Sequence, residues 1–301
     1  MTYFLTQLLN GISLGAIYGL IALGFVIIFK SSGVLSFAHG SLIFLGAFCI
    51  WYAVDGEGWG LGFWLAVLVG ILLTAGTAVI LERTIISPVR GAPIIALAAL
   101  TLGIDILFAT LLTNRIGTFL PKTLQQPWGA EAVSIGDVTI TKNRLYALLV
   151  GAVLVGLFFL AFKYSSWGVA MRAVAEDGET AALMGIRQGR VSAVSWLIAG
   201  VLATVAALFL VGAPSGGLDP QVRLIALAAF PAAIIGGLDS TGGALVGGLI
   251  VGLAETLTAG YADKIEFLGS NFQMVAPYVV MIIVLVIRPA GLFGTRELSR
   301  V

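Results

Sequence analysis

Apolar residues run along this chain in long blocks, each closed by a short cluster of glycine, proline and polar residues. Several blocks approach or exceed the roughly 20 residues that carry a helix across a bilayer. Hydropathy and breaker residues predict nine helical segments, at roughly 5–29, 38–54, 62–82, 93–113, 144–163, 191–212, 222–238, 241–260 and 272–288. The second, seventh and eighth are short and glycine-rich, so each reads as a full span or as a broken or re-entrant helix. The fold class expected is all-α: a polytopic integral membrane helical bundle of about 8–10 transmembrane or re-entrant helices, in one domain over residues 1–301.

Composition sharpens this. The chain is 59% hydrophobic and 10% charged, with a mean hydropathy of +1.07, whereas soluble domains spend about 25% of their residues on charge. A net charge of +1 offers no footprint for nucleic acid. The single cysteine, Cys49, lies in an apolar run and has no intrachain partner for a disulfide. The N-terminal run lacks a basic leader and is too long for a signal peptide, so it reads as a retained first membrane helix.

Two polar loops interrupt the pattern, at about 114–143 and 164–190. If the second is cytoplasmic, ten Lys and Arg residues fall on its side, Arg296 and Arg300 among them. Six fall on the other, including Arg115, Lys122 and Arg223. The positive-inside rule then puts the N-terminus and loop 114–143 outside and the C-terminus inside. Glycine, at 39 residues, recurs at four-residue spacing: Gly11, Gly15 and Gly19, then Gly243 and Gly247, then Gly248 and Gly252. Small residues at this spacing let helix backbones approach closely in lipid.

Enzyme chemistry has little to stand on. No HExxH occurs, one histidine and one cysteine cannot make a multi-ligand zinc site, and no GxxxxGK[ST] phosphate loop is present. His39, in "SSGVLSFAHG", lies in a polar break between two apolar runs, with Gly33 and Gly40 permitting a turn and Lys30 anchoring the first helix. It reads as a hydrogen-bonding partner for exposed backbone, with a pH-sensing or path-lining role as the alternative. Asp105 and Glu255 fall within predicted spans, where charge is expensive. They are either packing residues or part of an ion path, and no Lys or Arg is evident at similar depth.

The loop at 164–190 carries helical apolar spacing in "MRAVAEDGETAALMGI". Met171, Val174, Ala175, Ala181, Ala182, Met184 and Ile186 are expected along one side, with Glu176, Asp177 and Glu179 exposed. Gly178 permits a bend and Gly185 a stop. Helices that lie on lipid are rich in Lys and Arg. This one sets Arg172 against three acids, which favours docking on a protein.

Within it, "ETAALMG" (179–185) resembles the E-A-A-x-x-x-G loop of ABC importer permeases, with Thr180 in the second position. "GAIYGLIALGFVIIFKSSGVLSFAHG", "GGLDSTGGALVGGLIVGLAE" and the terminal "RPAGLFG" are similar to blocks of the branched-chain amino-acid permeases, in family order. The match is to the LivH-like half of a heteromeric pair. Ser36 stands where the family often has Asn, and Asp105 departs from the family's usual span.

The resemblance implies a membrane permease subunit of an ATP-driven importer for branched-chain or related amino acids, in the cytoplasmic (inner) membrane of a prokaryote. Its partners would be two cytoplasmic ABC ATPase subunits, a second homologous permease and a periplasmic or lipid-anchored substrate-binding protein. ATP and Mg would be bound by the ATPases, leaving no cofactor in this chain. Arg172, Glu176, Asp177, Glu179, Ala181 and Gly185 would form the coupling loop. Alternatives are the same machinery carrying urea or short amides, an ion-coupled carrier or channel using Asp105 and Glu255, and a structural membrane subunit.

Overall fold

A long apolar block can lie in lipid only if its backbone polar groups are satisfied within it, which selects helix. The computed structural model describes residues 2–55, 58–116, 124–135, 138–212, 217–264 and 271–295. The helices are α1 (Thr2–Ser32), α2 (Ala38–Val54), α3 (Phe63–Leu81), α4 (Ile94–Ile116), α5 (Lys142–Tyr164), α6 (Ser166–Glu176), α7 (Gly178–Leu183), α8 (Gln188–Val211), α9 (Val222–Ala228), α10 (Phe230–Gly236), α11 (Thr241–Gly260) and α12 (Ala276–Ile287). Among the described residues six helices are long and apolar enough to cross a membrane, and three shorter apolar segments join them. These are the nine segments that hydropathy predicts, and the chain is a multi-pass helical membrane protein.

Of the three short spans, only the seventh is broken. It divides into α9 and α10 at Ala229, just ahead of Pro231, which supplies no N–H to the ladder. The second and eighth are continuous. After α3 the chain runs through a π-turn (Glu82–Ile86) and a 3₁₀ turn (Ser87–Val89). One departure from all-helix lies in the loop at 114–143, where β1 (Ala132–Ile135) pairs antiparallel with β2 (Val138–Thr141). Four-residue alternations are too short to stand out in so apolar a chain. Part of that loop, including Lys122, and the C-terminal Arg296 and Arg300 lie outside the described residues.

The first and last described segments lie at opposite ends of the bundle. The Tyr3 hydroxyl donates to the Gly260 carbonyl at 2.6 Å. At the other end the Thr295 N–H donates to Asp239 at 2.8 Å, beside Lys30 at the close of α1. Helix α1 is the axis, buried without a break from Ile17 through Ile28 and packed on α8 and α11.

The α1–α11 seam is made by glycine. A Cβ at Gly252 would overlap the backbone of Gly15, and one at Gly248 that of Gly19. At Gly15 a Cβ would lie 2.8 Å from the Leu249 Cα. The spaced glycines are therefore contact points where backbones touch. The outer helices α3, α4 and α5 bury one face each and expose leucine and isoleucine or valine on the other, as lipid requires.

Candidate functional site

Three polar features stand out, two inside the bundle and one projecting from it. The first is centred on Asp105, midway between the two ends of α4. At about 1.5 Å per residue this is mid-membrane depth. Asp105 Oδ2 accepts from Arg223 of α9 at 2.8 Å, and Oδ1 accepts from the Ser41 hydroxyl of α2. The acid is thus paired, contrary to the expectation that no cation lies at its depth. The hydropathy pattern puts Arg223 in an outside loop because it stands at the very edge of its apolar block. Its guanidinium instead reaches into the bundle from the first turn of α9. An arginine at the bilayer centre costs about 3 kcal/mol on insertion scales, so a carboxylate beside it is what allows it to stay.

The second feature is Glu255 of α11, whose Oε2 accepts from the Tyr18 hydroxyl of α1 at 2.6 Å. This pair bridges the glycine seam, and among the described residues no cation bridges to Glu255. Asp105 and Glu255 are held by different helices and different partners, so the structure does not bring them together.

His39, at the start of α2, is fully buried. Its ring lies on the bare backbone of α1, where a Cβ at Gly24 would fall 2.5 Å from Nε2, and edge-on to Phe25 at 4.7 Å between centroids. The Ile21 carbonyl is nearby, but neither ring nitrogen makes a hydrogen bond of normal geometry. The expectation that His39 satisfies the exposed turn is therefore corrected. Thr101 of α4 does that work: its hydroxyl accepts from the Phe37 N–H at 3.1 Å and faces the Leu35 carbonyl at 3.2 Å. Gly33 makes the turn with φ +67°, while Gly40 lies within α2.

The third feature is the α6–α7 turn at the Lys30 end. Instead of one bent helix, two helices meet at Asp177, and Gly178 is the first residue of the second. Asp177 caps α7: Oδ1 accepts from the N–H groups of Glu179 (3.0 Å) and Thr180 (3.1 Å), and Oδ2 from the Thr180 hydroxyl at 2.6 Å. These bonds, that from the Thr180 hydroxyl first, hold its carboxyl below the usual carboxylate range.

Gly185 ends α7 with φ +86°. Its N–H donates to Ala182 and that of Ile186 to Ala181, the paired bonds of a Schellman stop. Arg172 donates to the Phe162 carbonyl and lies over the Phe162 ring, closing the end of α5. Met171 and Ala181 are buried, and Glu176, Asp177 and Glu179 are exposed as expected. Ala175, Ala182 and Met184, expected on the apolar side, are exposed instead, Ala175 already ahead of the break at Asp177. The break at Asp177 resets the helical phase, so α7 turns Leu183 and Met184 outward at 87% and 79% exposure. A cavity of about 750 Å³ opens alongside, between Lys30, Arg90, Arg172, Glu176 and Asp239.

The family model for the branched-chain amino acid transport system permease component matches residues 7–285. The chain belongs to the branched-chain amino-acid permease family. The permease protein LivH of the high-affinity branched-chain amino acid transport system of Escherichia coli K12 is 31% identical over 310 residues, covering 99% of this chain and 98% of that one. BraD of Pseudomonas aeruginosa is 29% identical, with the same coverage. A probable LivH of Methanocaldococcus jannaschii is 26% identical over 91% of this chain and 88% of its own. The solved structure of PsaBC from Streptococcus pneumoniae in complex with Fab shares the fold, with a TM-score of 0.51 and 15% identity over 96% of this permease and 93% of that chain. The Asp105–Arg223 pair could not be read from the family blocks, since Arg223 lies outside all four of them.

Proposed function

We propose that this permease is the membrane-spanning subunit of an ATP-driven importer for branched-chain or related amino acids in a prokaryotic cytoplasmic membrane. Separate ATPase subunits dock on the α6–α7 turn, a second permease completes the path, and a binding protein delivers substrate at the opposite face. In this reading the Lys30 end is cytoplasmic and the Tyr3 end faces outward.

The observation that carries it is α7. A capped, glycine-stopped helix that exposes two large apolar side chains outside the bundle is built to be covered. The Gln188 side chain, donating to the Gly178 carbonyl, ties α7 to the start of α8, so a push on α7 reaches a helix packed on α1. Glu176, Asp177 and Glu179 ring the apolar tip and suit a groove with basic walls. Urea or short amides would use the same machinery. No observation favours an ion-coupled carrier: the Asp105 charge is balanced by Arg223, and Glu255 is tied to Tyr18.

The test is Leu183→Glu, with Gly185→Leu as a companion, in the assembled transporter. Both are expected to insert normally, while ATP-driven amino-acid uptake falls at least tenfold and ATPase subunits are lost on co-purification. Full uptake with retained subunits in both variants would remove the docking assignment.

A further inference from the structure

The seventh span begins in an unusual way. Helix α9 starts only at Val222, yet the guanidinium of Arg223, its second residue, already meets Asp105 halfway along α4. The described residues just before it are not helical: Asp219 makes a turn, its Oδ1 accepting from the Gln221 N–H at 2.6 Å and its carbonyl from the Val222 N–H at 3.0 Å. Irregular backbone at membrane depth persists only where protein buries it or water bathes it. Gly217, Leu218 and Val222 are buried, but Asp219 and Gln221 between them are exposed and the Arg223 side chain is 31% exposed, so protein covers only part of this stretch.

Three polar residues within five positions, open at this depth, are incompatible with acyl chains. Among the described residues helices α4 and α9 both pack on α2 but scarcely touch each other, so the ion pair bridges a seam with Ser41 on its floor. On the outer side of α4 the exposed Leu102, Ile106, Leu107 and Leu111 are by contrast apolar, and the hydroxyl of the exposed Thr110 is taken up by the Ile106 carbonyl of its own helix.

We infer that the seam between α4 and α9 is a wall of the translocation path, and that Asp105 and Arg223 form its binding station for the charged head of an amino acid. The inference rests on the amino-acid import reading for its ligand, but not for its location. Arg223 offers a planar donor fork to an α-carboxylate, and Asp105 an acceptor to an α-ammonium group. In the empty path the two neutralise each other. A zwitterion entering the seam meets both charges at once and replaces one ion pair by two, with no net charge moved into the membrane. Ser41 holds the Asp105 carboxylate in place during the exchange. Nothing in this station reads the side chain, which leaves room for a family of amino acids to share it.

The experiment uses the assembled complex with Cys49→Ala as background, leaving Arg223→Cys as this subunit's only thiol. A membrane-impermeant sulfonate methanethiosulfonate reagent is expected to modify the thiol at position 223, while Ile106→Cys on the lipid side reacts only with a bilayer-soluble maleimide. Uptake of leucine is expected to fall at least tenfold in Arg223→Cys and to recover severalfold when an aminoethyl reagent restores a cation. The exchange D105R/R223D, which keeps an ion pair, is expected to assemble but not to transport. A thiol at position 223 inert to both water-soluble reagents, or full uptake by the exchange variant, would overturn the inference. Wild-type complex without ATP-dependent amino-acid uptake would overturn the proposed substrate instead, and thiol accessibility would still decide the position of the path.

Discussion

Asp105 and Glu255 look alike in sequence, each an isolated acid in an apolar helix, yet the structure gives them opposite surroundings. Asp105 meets an arginine across a seam, at the first turn of α9. Glu255 meets a tyrosine across a close helix contact, the glycine seam of α1 and α11. An acid with a cation is an electrostatic pair whose halves depend on each other. An acid with a phenol is a hydrogen-bonded pin that a neutral acceptor can replace. The same charge type is therefore half of an ion pair in one place and the acceptor of a hydrogen-bonded pin in the other, and only the partner tells them apart.

Neutralising each acid without changing its shape separates the two roles. Asp105→Asn leaves the Arg223 guanidinium uncompensated at mid-membrane depth. Removing one half of a buried pair typically costs about 3–5 kcal/mol, and the partial exposure of Arg223 puts the expected loss near the bottom of that range. Glu255→Gln keeps a carbonyl acceptor for Tyr18 and should cost under about 1 kcal/mol. Thermal unfolding of the purified complex in one detergent gives the ranking, with the midpoint of Asp105→Asn falling well below that of Glu255→Gln. Equal or reversed midpoints would mean that Arg223 does not depend on Asp105.

The next effect down lies at the seam itself. Tyr18→Phe removes the donor but leaves the glycine contacts intact, and Gly252→Ala does the reverse by inserting a methyl group against Gly15. Overpacking of this kind typically costs about 1–3 kcal/mol, more than one neutral hydrogen bond. Gly252→Ala is therefore expected to lower the midpoint more than Tyr18→Phe, if α1 and α11 are held by backbone proximity with the Tyr18–Glu255 bond as an accessory. The opposite order would make the polar pin the principal contact.

How far the sequence reaches follows the same division. The nine spans are legible because apolar length alone selects a membrane helix, and the α1–α11 seam because four-residue glycine spacing marks a helix face. Partners are not legible when they lie far apart in the chain: Arg223 is 118 positions from Asp105, and Glu255 is 237 from Tyr18. The one sequence signal for Arg223 is its place at the mouth of a span too short to be a simple crossing. His39 misleads because a polar residue in a polar break suggests hydrogen bonding, whereas its ring fills the space that Gly24 leaves on α1. In the α6–α7 turn the apolar spacing places the acids correctly but not the whole apolar side. One non-helical residue, Asp177, shifts the phase of Ala182 and Met184 after it, while Ala175 is exposed within the helix before it.

Asp177 is the third kind of acid, exposed and bonded only within its own turn, and it should give the smallest effect. Its folded carboxyl titrates below the unfolded value of about 3.9. Its contribution to α7 is therefore complete above that value and is lost only as pH falls through the lower, folded one. Between pH 5 and 8 the start of α7 should not change. Hydrogen exchange at the amides of Glu179 and Thr180, corrected for intrinsic rates, should show protection that is flat over that range and declines below about pH 4. Asp177→Asn, which keeps an oxygen acceptor for the cap, should remove the acid decline while leaving the neutral-pH protection nearly intact. A transition centred between pH 5 and 7 would instead require another titrating group at α7. Glu176 and Glu179 are the acids nearest to it in sequence, so their glutamine variants would identify which one responds.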